Sequence, residues 1–381
     1  MLDTVVLSLD IAEFRIMTTH YAKWSPDITR YLVPPYQKLG GHKHITATRT
    51  PTKNDKLAGV YVPRLKLIRA VRAGGFSTRL YIEFSAPKIV FNNNFDELAD
   101  SDFDNLCKQL VKTLRRLGVV VDHETLKTAQ VHTVHYSKNV ILTDGRLARM
   151  LVRELAKSNI STRRRAKQRT YADDGEAMYF HTAKWAFVAY DKRAELKRSK
   201  SSSKGLIEKD YYCQLSLFDE LIPPSPFEVI RLEARYTDTR TIKANLKRAG
   251  VAFSEVLTFA ELYAEHTAKT LLLYELNQLE TATPDITLSG GNTERLIADL
   301  VVNNPKAKLG TIVEAVGLKT MIEQFGSRGA RSMLHATSSQ WSRLMIKVNS
   351  LDFTRQKHDG IATIRHSVEA FRRVKLTNYK E

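Results

Sequence analysis

Cysteine is almost missing from this chain: Cys107 and Cys213 are the only two among 381 residues. They make neither a metal-ligand spacing nor a disulfide framework, which fits a reducing cytosol. No run of about 18 apolar residues occurs, so no membrane-spanning helix is expected. The opening MLDTVVLSLDIAEF carries acids where a secretory leader needs a basic flank, and its alternation of Val5, Leu7 and Leu9 predicts a strand instead. Phosphate-cradling glycine loops are absent too. Without GxxxxGK[ST], GxGxxG or GxSxG, an ATP-driven helicase and a serine hydrolase have no support. No fixed-period repeat is present.

Positive charge is abundant. Lys and Arg number 59 against 41 acids, a formal net charge of +18. Such an excess points to a polyanionic partner, and with no membrane segment in view nucleic acid is favoured over a lipid surface. A hydrophobic fraction of 43% supports a true core, and the length suits two domains.

Residues 1–95 read as β-rich. In LIRAVRAGGFSTRLYIEFSAPKIVF two strand-like runs flank Ala73-Gly74-Gly75, a hairpin signal. A helix follows, capped by Asp100 or Ser101, with Phe103, Leu106, Leu110, Leu114 and Leu117 at three- and four-residue steps and Gly118 at its end. VHTVHYSKNVIL (131–142) predicts a strand and RLARMLVRELAK (146–157) an amphipathic helix. Strand signals return at AMYF, AFVAY and PFEVIRLEARYT (226–237). Beyond about residue 245 the pattern turns helical, with a long helix over 254–280 starting at Ser254. The stretch 309–336 has helix–turn–helix spacing with Gly317 at the turn, although three short helices in any bundle give the same pattern. The expected fold is therefore α+β, a mainly antiparallel sheet with flanking helices over 1–245, followed by a helical domain over 246–381 that binds DNA or mediates oligomerisation.

The candidate chemistry lies in acids, histidines and tyrosines on strands. Glu83 in RLYIEFS is a mid-strand carboxylate suited to a hard divalent cation, or simply an exposed acid. Strand alternation sends His132 and His135 of VHTVH to opposite faces, so one of them at most points into a given site. His42 and His44 in GGHKHIT share a face, but the intervening lysine and the Gly-Gly lead argue against a His-hydrophobic-His nuclease motif. Glu233 in VIRLEARYT stands between same-face Arg231 and Arg235, an ion-paired group or a further metal ligand with two phosphate-binding arginines. Tyr190 closes FVAY and is followed by Asp191, Lys192 and Arg193. A phenol with a pKa near 10 needs a nearby cation or metal to act as a nucleophile. Lys192 is the local cation, and Tyr179 in AMYF is the competing tyrosine. Arg163, Arg164, Arg165, Lys167 and Arg169, with Arg193 and Lys197, are placed to follow a nucleic-acid backbone or merely to be solvated.

The segments LDTVVLSL, IEFSAPKIV, AFVAYDKRAEL and VIRLEARYT occur in an order and spacing that resembles the replication initiators of filamentous phages, the gene II/gene X family, and related plasmid rolling-circle initiators. The blocks are scattered over roughly residues 1–245. The resemblance implies an HUH-like nuclease architecture and a bacterial host cytoplasm. It further implies nicking of one origin strand by a tyrosine that becomes joined to the 5′ phosphate, leaving a 3′-OH primer. It gives the nucleophile's role to Tyr190, with Tyr179 as alternative, and a Mg²⁺ or Mn²⁺ ligand's role to Glu83. The phage proteins carry an acid where this chain has His135, so whether His135 or His132 serves is open. Expected partners are origin DNA, a host helicase and polymerase, and a second copy of the chain. The alternative from another class is a non-catalytic origin binder or repressor. RNA binding has less support, as no aromatic ribonucleoprotein-type strand is evident.

Overall fold

The computed structural model describes residues 1–29, 44–52, 55, 61–72, 75–142, 147–156, 158, 167–171, 177–195, 228–281, 293–352 and 359–375. Its strands are β1 (Leu2–Asp10), β2 (Phe14–Ile16), β3 (His44–Arg49), β4 (Arg64–Arg72), β5 (Gly75–Ser85), β6 (Val119–Val121), β7 (Gln130–Leu142), β8 (Lys167–Tyr171), β9 (Ala177–His181), β10 (Trp185–Asp191) and β11 (Glu228–Tyr236). The helices are α1 (Ala86–Phe91), α2 (Phe103–Arg116), α3 (His123–Thr128), α4 (Ala148–Ala156), α5 (Thr239–Ala249), α6 (Phe259–Tyr263), α7 (Glu265–Thr281), α8 (Thr293–Asn303), α9 (Leu309–Met333), α10 (Ser338–Asn349) and α11 (Asp359–Ala370).

Nine strands form one sheet in the order β3-β4-β5-β1-β7-β11-β10-β9-β8, and every adjacent pair is antiparallel. β4 and β5 pair out to Arg72 and Gly75, as the glycine signal predicts; Ala73 and Gly74 lie outside the described residues. β2 and β6 make a separate small ribbon. The fold is thus α+β with a large antiparallel sheet, flanking helices and further helices towards the C-terminal part.

Period-two alternation gives the sheet two unlike faces. One carries Val5, Leu7, Leu9, Ile82, Phe84, Val134, Tyr136, Ala234 and Tyr236, all buried. Helices cover it: Tyr136 donates its hydroxyl to the Leu262 carbonyl at the end of α6, and Trp185 and Tyr236 donate to the buried Glu275 carboxylate on α7. The other face carries Asp3, Glu83, Ser85, His135, Ser137, Arg231, Glu233, Arg235, Tyr190, Tyr179 and His181, because cross-strand partners share a face.

The core does not divide at residue 245. Helices α5, α6, α7 and α11 belong to the same hydrophobic cluster as the sheet. A second cluster, including Leu300, Ile312, Leu318, Ile322, Trp341 and Val348, is confined to α8, α9 and α10. The long helix expected over 254–280 is two helices, broken where Ala264 turns extended; Thr258, not Ser254, caps the first through the Glu261 N–H. Gly317 lies inside α9. The real break there is Gly326, whose left-handed backbone (φ 68°) interrupts the helix. Among the described residues, no helix is long and apolar enough to cross a membrane.

Candidate functional site

The centre of the polar face is a chain of hydrogen bonds and ion pairs running across five strands. Ser85 on β5 donates to Asp3 on β1 at 3.5 Å. Arg231 on β11 lies 3.4 Å from the Asp3 carboxylate and donates to Ser137 Oγ on β7 at 2.9 Å and to the Asn94 carbonyl. Its Nε stands 3.2 Å from Glu233 Oε1. That same oxygen accepts the Tyr190 hydroxyl from β10 at 2.7 Å. The other carboxylate oxygen takes two bonds from Arg235, at 2.9 Å from Nε and 2.5 Å from the terminal nitrogen.

The register explains the convergence. Tyr190 pairs with Arg231, Val188 with Glu233, and Ala186 with Arg235. Small and apolar neighbours on β10 therefore leave Glu233 open to the tyrosine one register step away. On the other flank, Arg231, Glu233 and Arg235 face Asn139, Ser137 and His135.

Burial and charge set the protonation states. Burial alone would raise the Glu233 carboxyl, but Arg235 and Arg231 outweigh it and hold it well below the ordinary carboxylate range. The Tyr190 phenol is pushed far above its usual value by burial and by the negative charge of Glu233. It is a protonated donor, not a phenolate. His135 is kept neutral, first by burial and then by Arg235, and its Nε2 is a buried nitrogen with no hydrogen-bond partner. Exposure differs between the two arginines: Arg231 is 3% exposed, Arg235 33%. Only Arg235 meets solvent.

No protein-family model, curated protein or solved structure matches the chain.

The sequence candidates are distributed unevenly over it. Tyr190, Glu233, Arg231 and Arg235 are in direct contact. Lys192 follows at the end of β10, where the chain turns helical over 192–195 and Asp191 caps the turn. Its Nζ lies 5.7 Å from the centre of the Tyr190 ring and 5.5 Å from that of Phe95, buried and paired with Glu195 at 3.0 Å. Arg193 follows it in the same turn. Tyr179 is on β9, opposite Val188, with its ring 4.6 Å from that of His181.

Glu83 is exposed on β5, four strands from β10. At about 4.8 Å per strand that is roughly 19 Å of lateral separation from Tyr190. His132 departs from simple alternation. The pairs Val6–Thr133 and Leu7–Val131 leave it as the extra residue of a β-bulge, and its ring packs edge-on against Tyr81 at 5.4 Å. It thus faces the same side as His135, although alternation alone assigns them to opposite faces. Arg163, Arg164, Arg165, Lys197 and His42 lie outside the described residues, whereas Lys167 and Arg169 fall on β8.

The residues expected to hold a divalent cation do not fit one as arranged. Glu83 is remote from Tyr190, both oxygens of Glu233 are engaged, and among the described residues no three His, Cys, Asp or Glu side chains cluster as a metal site. The cations in contact with Glu233 are Arg231 and Arg235. Sequence reasoning overlooked Asp3 and Ser137, which orient Arg231. Asp3 stands two residues before Val5, so alternation alone puts it on the core face; the register shift between Leu2 and Val5 turns it to the polar face.

Proposed function

We propose that this chain cuts and rejoins one DNA strand by tyrosine transesterification, as a rolling-circle replication initiator working on origin DNA in a bacterial host, with its sheet used in the manner of HUH-like nucleases. The observation that supports this reading is the contact of Tyr190 with Glu233 beneath a half-exposed arginine. A phosphodiester approaching the polar face meets Arg235 first. As Arg235 turns from Glu233 to a non-bridging phosphate oxygen, Glu233 loses its strongest cation and becomes a better base. Glu233 then takes the phenol proton while the Tyr190 oxygen–phosphorus bond forms and the phosphorus–O3′ bond breaks. The leaving 3′ oxygen takes a proton from water, Glu233 later returns its own to solvent, and Arg231 stays in place to offset the developing charge.

The deciding experiment incubates wild type, Tyr190→Phe and Tyr179→Phe with end-labelled single-stranded and supercoiled DNA, and looks for an adduct that survives SDS. The expected result is loss of the adduct in Tyr190→Phe alone. Survival there with loss in Tyr179→Phe transfers the role to Tyr179, and no adduct with wild type removes the activity.

A second reading, a non-catalytic DNA-binding protein, is favoured by one observation: α8–α10 form a core of their own, as an independent binding module would. It predicts salt-sensitive DNA binding without any adduct.

A further inference from the structure

The bulge in β7 does more than interrupt the alternation of VHTVH. Bulges re-aim side chains, and the extra residue here is His132, turned onto the polar face beside Tyr81 of β5. The two rings stand at 89° with centroids 5.4 Å apart, so they form a right-angled corner. Both are half-buried. Next to them lies Ser8, which pairs with Tyr81 in the β1–β5 register and so shares its face. Ser8 is 6% exposed, and its Oγ is buried without a hydrogen-bond partner. Hydrogen bonds fix the His132 tautomer. Thr133 gives its one hydroxyl proton to the Thr237 carbonyl at 3.3 Å, so its oxygen accepts from His132 Nδ1 at 3.1 Å. With the proton on Nδ1, Nε2 is a bare acceptor, and among the described residues no donor reaches it. Burial favours the neutral ring. Lysines flank the corner on two sides. Lys66 is exposed and pairs with Tyr81 on the β4 side. Lys184, between β9 and β10, is 60% exposed and stands 3.7 Å from Asp238 at the start of α5. Asp238, Lys184 and Lys66 are the charged groups that act on His132.

An aromatic wall, a bare acceptor, an unmet hydroxyl and flanking lysines are together suited to a nucleobase. Its flat face stacks on a ring, an N–H of its edge donates to the acceptor, and neighbouring phosphates meet the cations. Bases inside a duplex are stacked on each other, so only an unpaired base enters such a corner. We propose that the Tyr81–His132 corner holds one unpaired nucleobase of a DNA strand. The base stacks on Tyr81 with its N–H edge towards His132 Nε2 and Ser8, and the adjoining phosphates lie at Lys66 and Lys184. β5 is four strands from β10, so Tyr81 stands roughly 19 Å across the sheet from Tyr190. Arg235 and His135, paired on β11 and β7, lie between them. The corner is thus a second hold on the strand whose backbone Arg235 meets. This inference rests on the DNA-binding part of the function proposed above and not on the transesterification.

The test measures binding of a short fluorescent single strand to full-length Tyr190→Phe protein, in which cleavage cannot alter the readout. A duplex of the same sequence serves as competitor. Adding Tyr81→Ala is expected to weaken binding about tenfold, whereas Tyr81→Phe, which keeps the ring, should bind like its parent. Arg248→Ala, which removes an exposed charge at the far end of α5, should change little. A second arm needs no substitution in the corner: irradiating the complex with a strand carrying 5-iodouracil should crosslink Tyr81 or His132, located by mass spectrometry. The proposal is overturned if Tyr81→Ala binds as tightly as its parent, or if Arg248→Ala weakens binding as much. It is also overturned if crosslinks fall only on other residues, or if the duplex competes as well as the single strand. Failure of both arms while wild type still forms its adduct removes the corner alone. Absence of any DNA binding removes the corner and the DNA reading together.

Discussion

Tyr190 and Glu233 share a hydrogen bond whose strength is governed by the arginines around it. Removing the hydroxyl in Tyr190→Phe deletes one donor from a carboxylate that keeps Arg231 and Arg235, so a stability loss of only about 1 kcal/mol is expected in urea unfolding. Glu233→Gln is more damaging, since it strands two cations, one of them wholly buried; about 3–5 kcal/mol is expected. The sign of the pH dependence follows from the depressed Glu233 carboxyl. Its ion pairs contribute fully above the ordinary carboxylate pKa of about 4.3 and are lost as pH falls through the lower folded value. The stability gap between wild type and Glu233→Gln should therefore stay constant from neutral pH down to about 4 and narrow below it. Cys107 gives a simpler check. Burial raises its thiol to about 12, so in a Cys213→Ser background Cys107 should resist alkylation at pH 8 until the protein is unfolded.

At the level of elements, two features fix the sheet's surroundings. Gly118 closes α2 with φ +78°, and a Cβ there would stand 2.3 Å from the His20 ring. Gly118→Ala combines backbone strain with a clash and should cost about 1–3 kcal/mol, read as a lowered melting temperature. Beneath β7, Lys138 donates to Glu97 at 2.6 Å and to the Arg372 carbonyl at 2.7 Å, while Glu97 also accepts the Asn139 and Val374 N–H groups. Both charges are almost fully buried, at 2% and 3% exposure. Glu97→Ala should cost about 3–5 kcal/mol and free residues 371–375 for proteolysis.

Elements of this kind differ in how readable they are from sequence. The strands at 131–142 and 226–237 announce themselves by alternation, and Gly118 by its place after Leu117. The Glu233 cluster was legible in part, because Arg231, Glu233 and Arg235 sit two apart on one strand. Asp3 was not, since its meaning depends on an ion pair with Arg231, more than 220 residues away on a strand that β7 separates from β1. His132 misleads for a local reason: one extra residue in β7 breaks the period of two, and nothing in VHTVH signals the bulge. Glu83 shares the polar face, but no sequence spacing reveals that three strands lie between its strand and that of Tyr190. Gly317 and Gly326 look equivalent in sequence, yet only the second takes a left-handed backbone.

For the whole molecule, the two hydrophobic clusters imply two cooperative units. α8–α10 are inserted between α7 and α11, which pack together on the sheet, so the insertion should be able to open without disturbing the site. Hydrogen exchange should show amides of 293–351 exchanging at lower free energy than those of β1, β7 and β11, with two transitions in calorimetry. A single transition with uniform protection would show that the clusters are coupled.

The buried Lys138 has a consequence for synthesis. One of its acceptors, the Arg372 carbonyl, comes 234 residues later in the chain. While the ribosome is still making the intervening helices, the middle of the sheet holds a lysine that lacks part of its coordination. The last step of assembly is then set by the order of translation: β7 can pair early, but its buried charge is fully housed only after the segment following α11 has emerged.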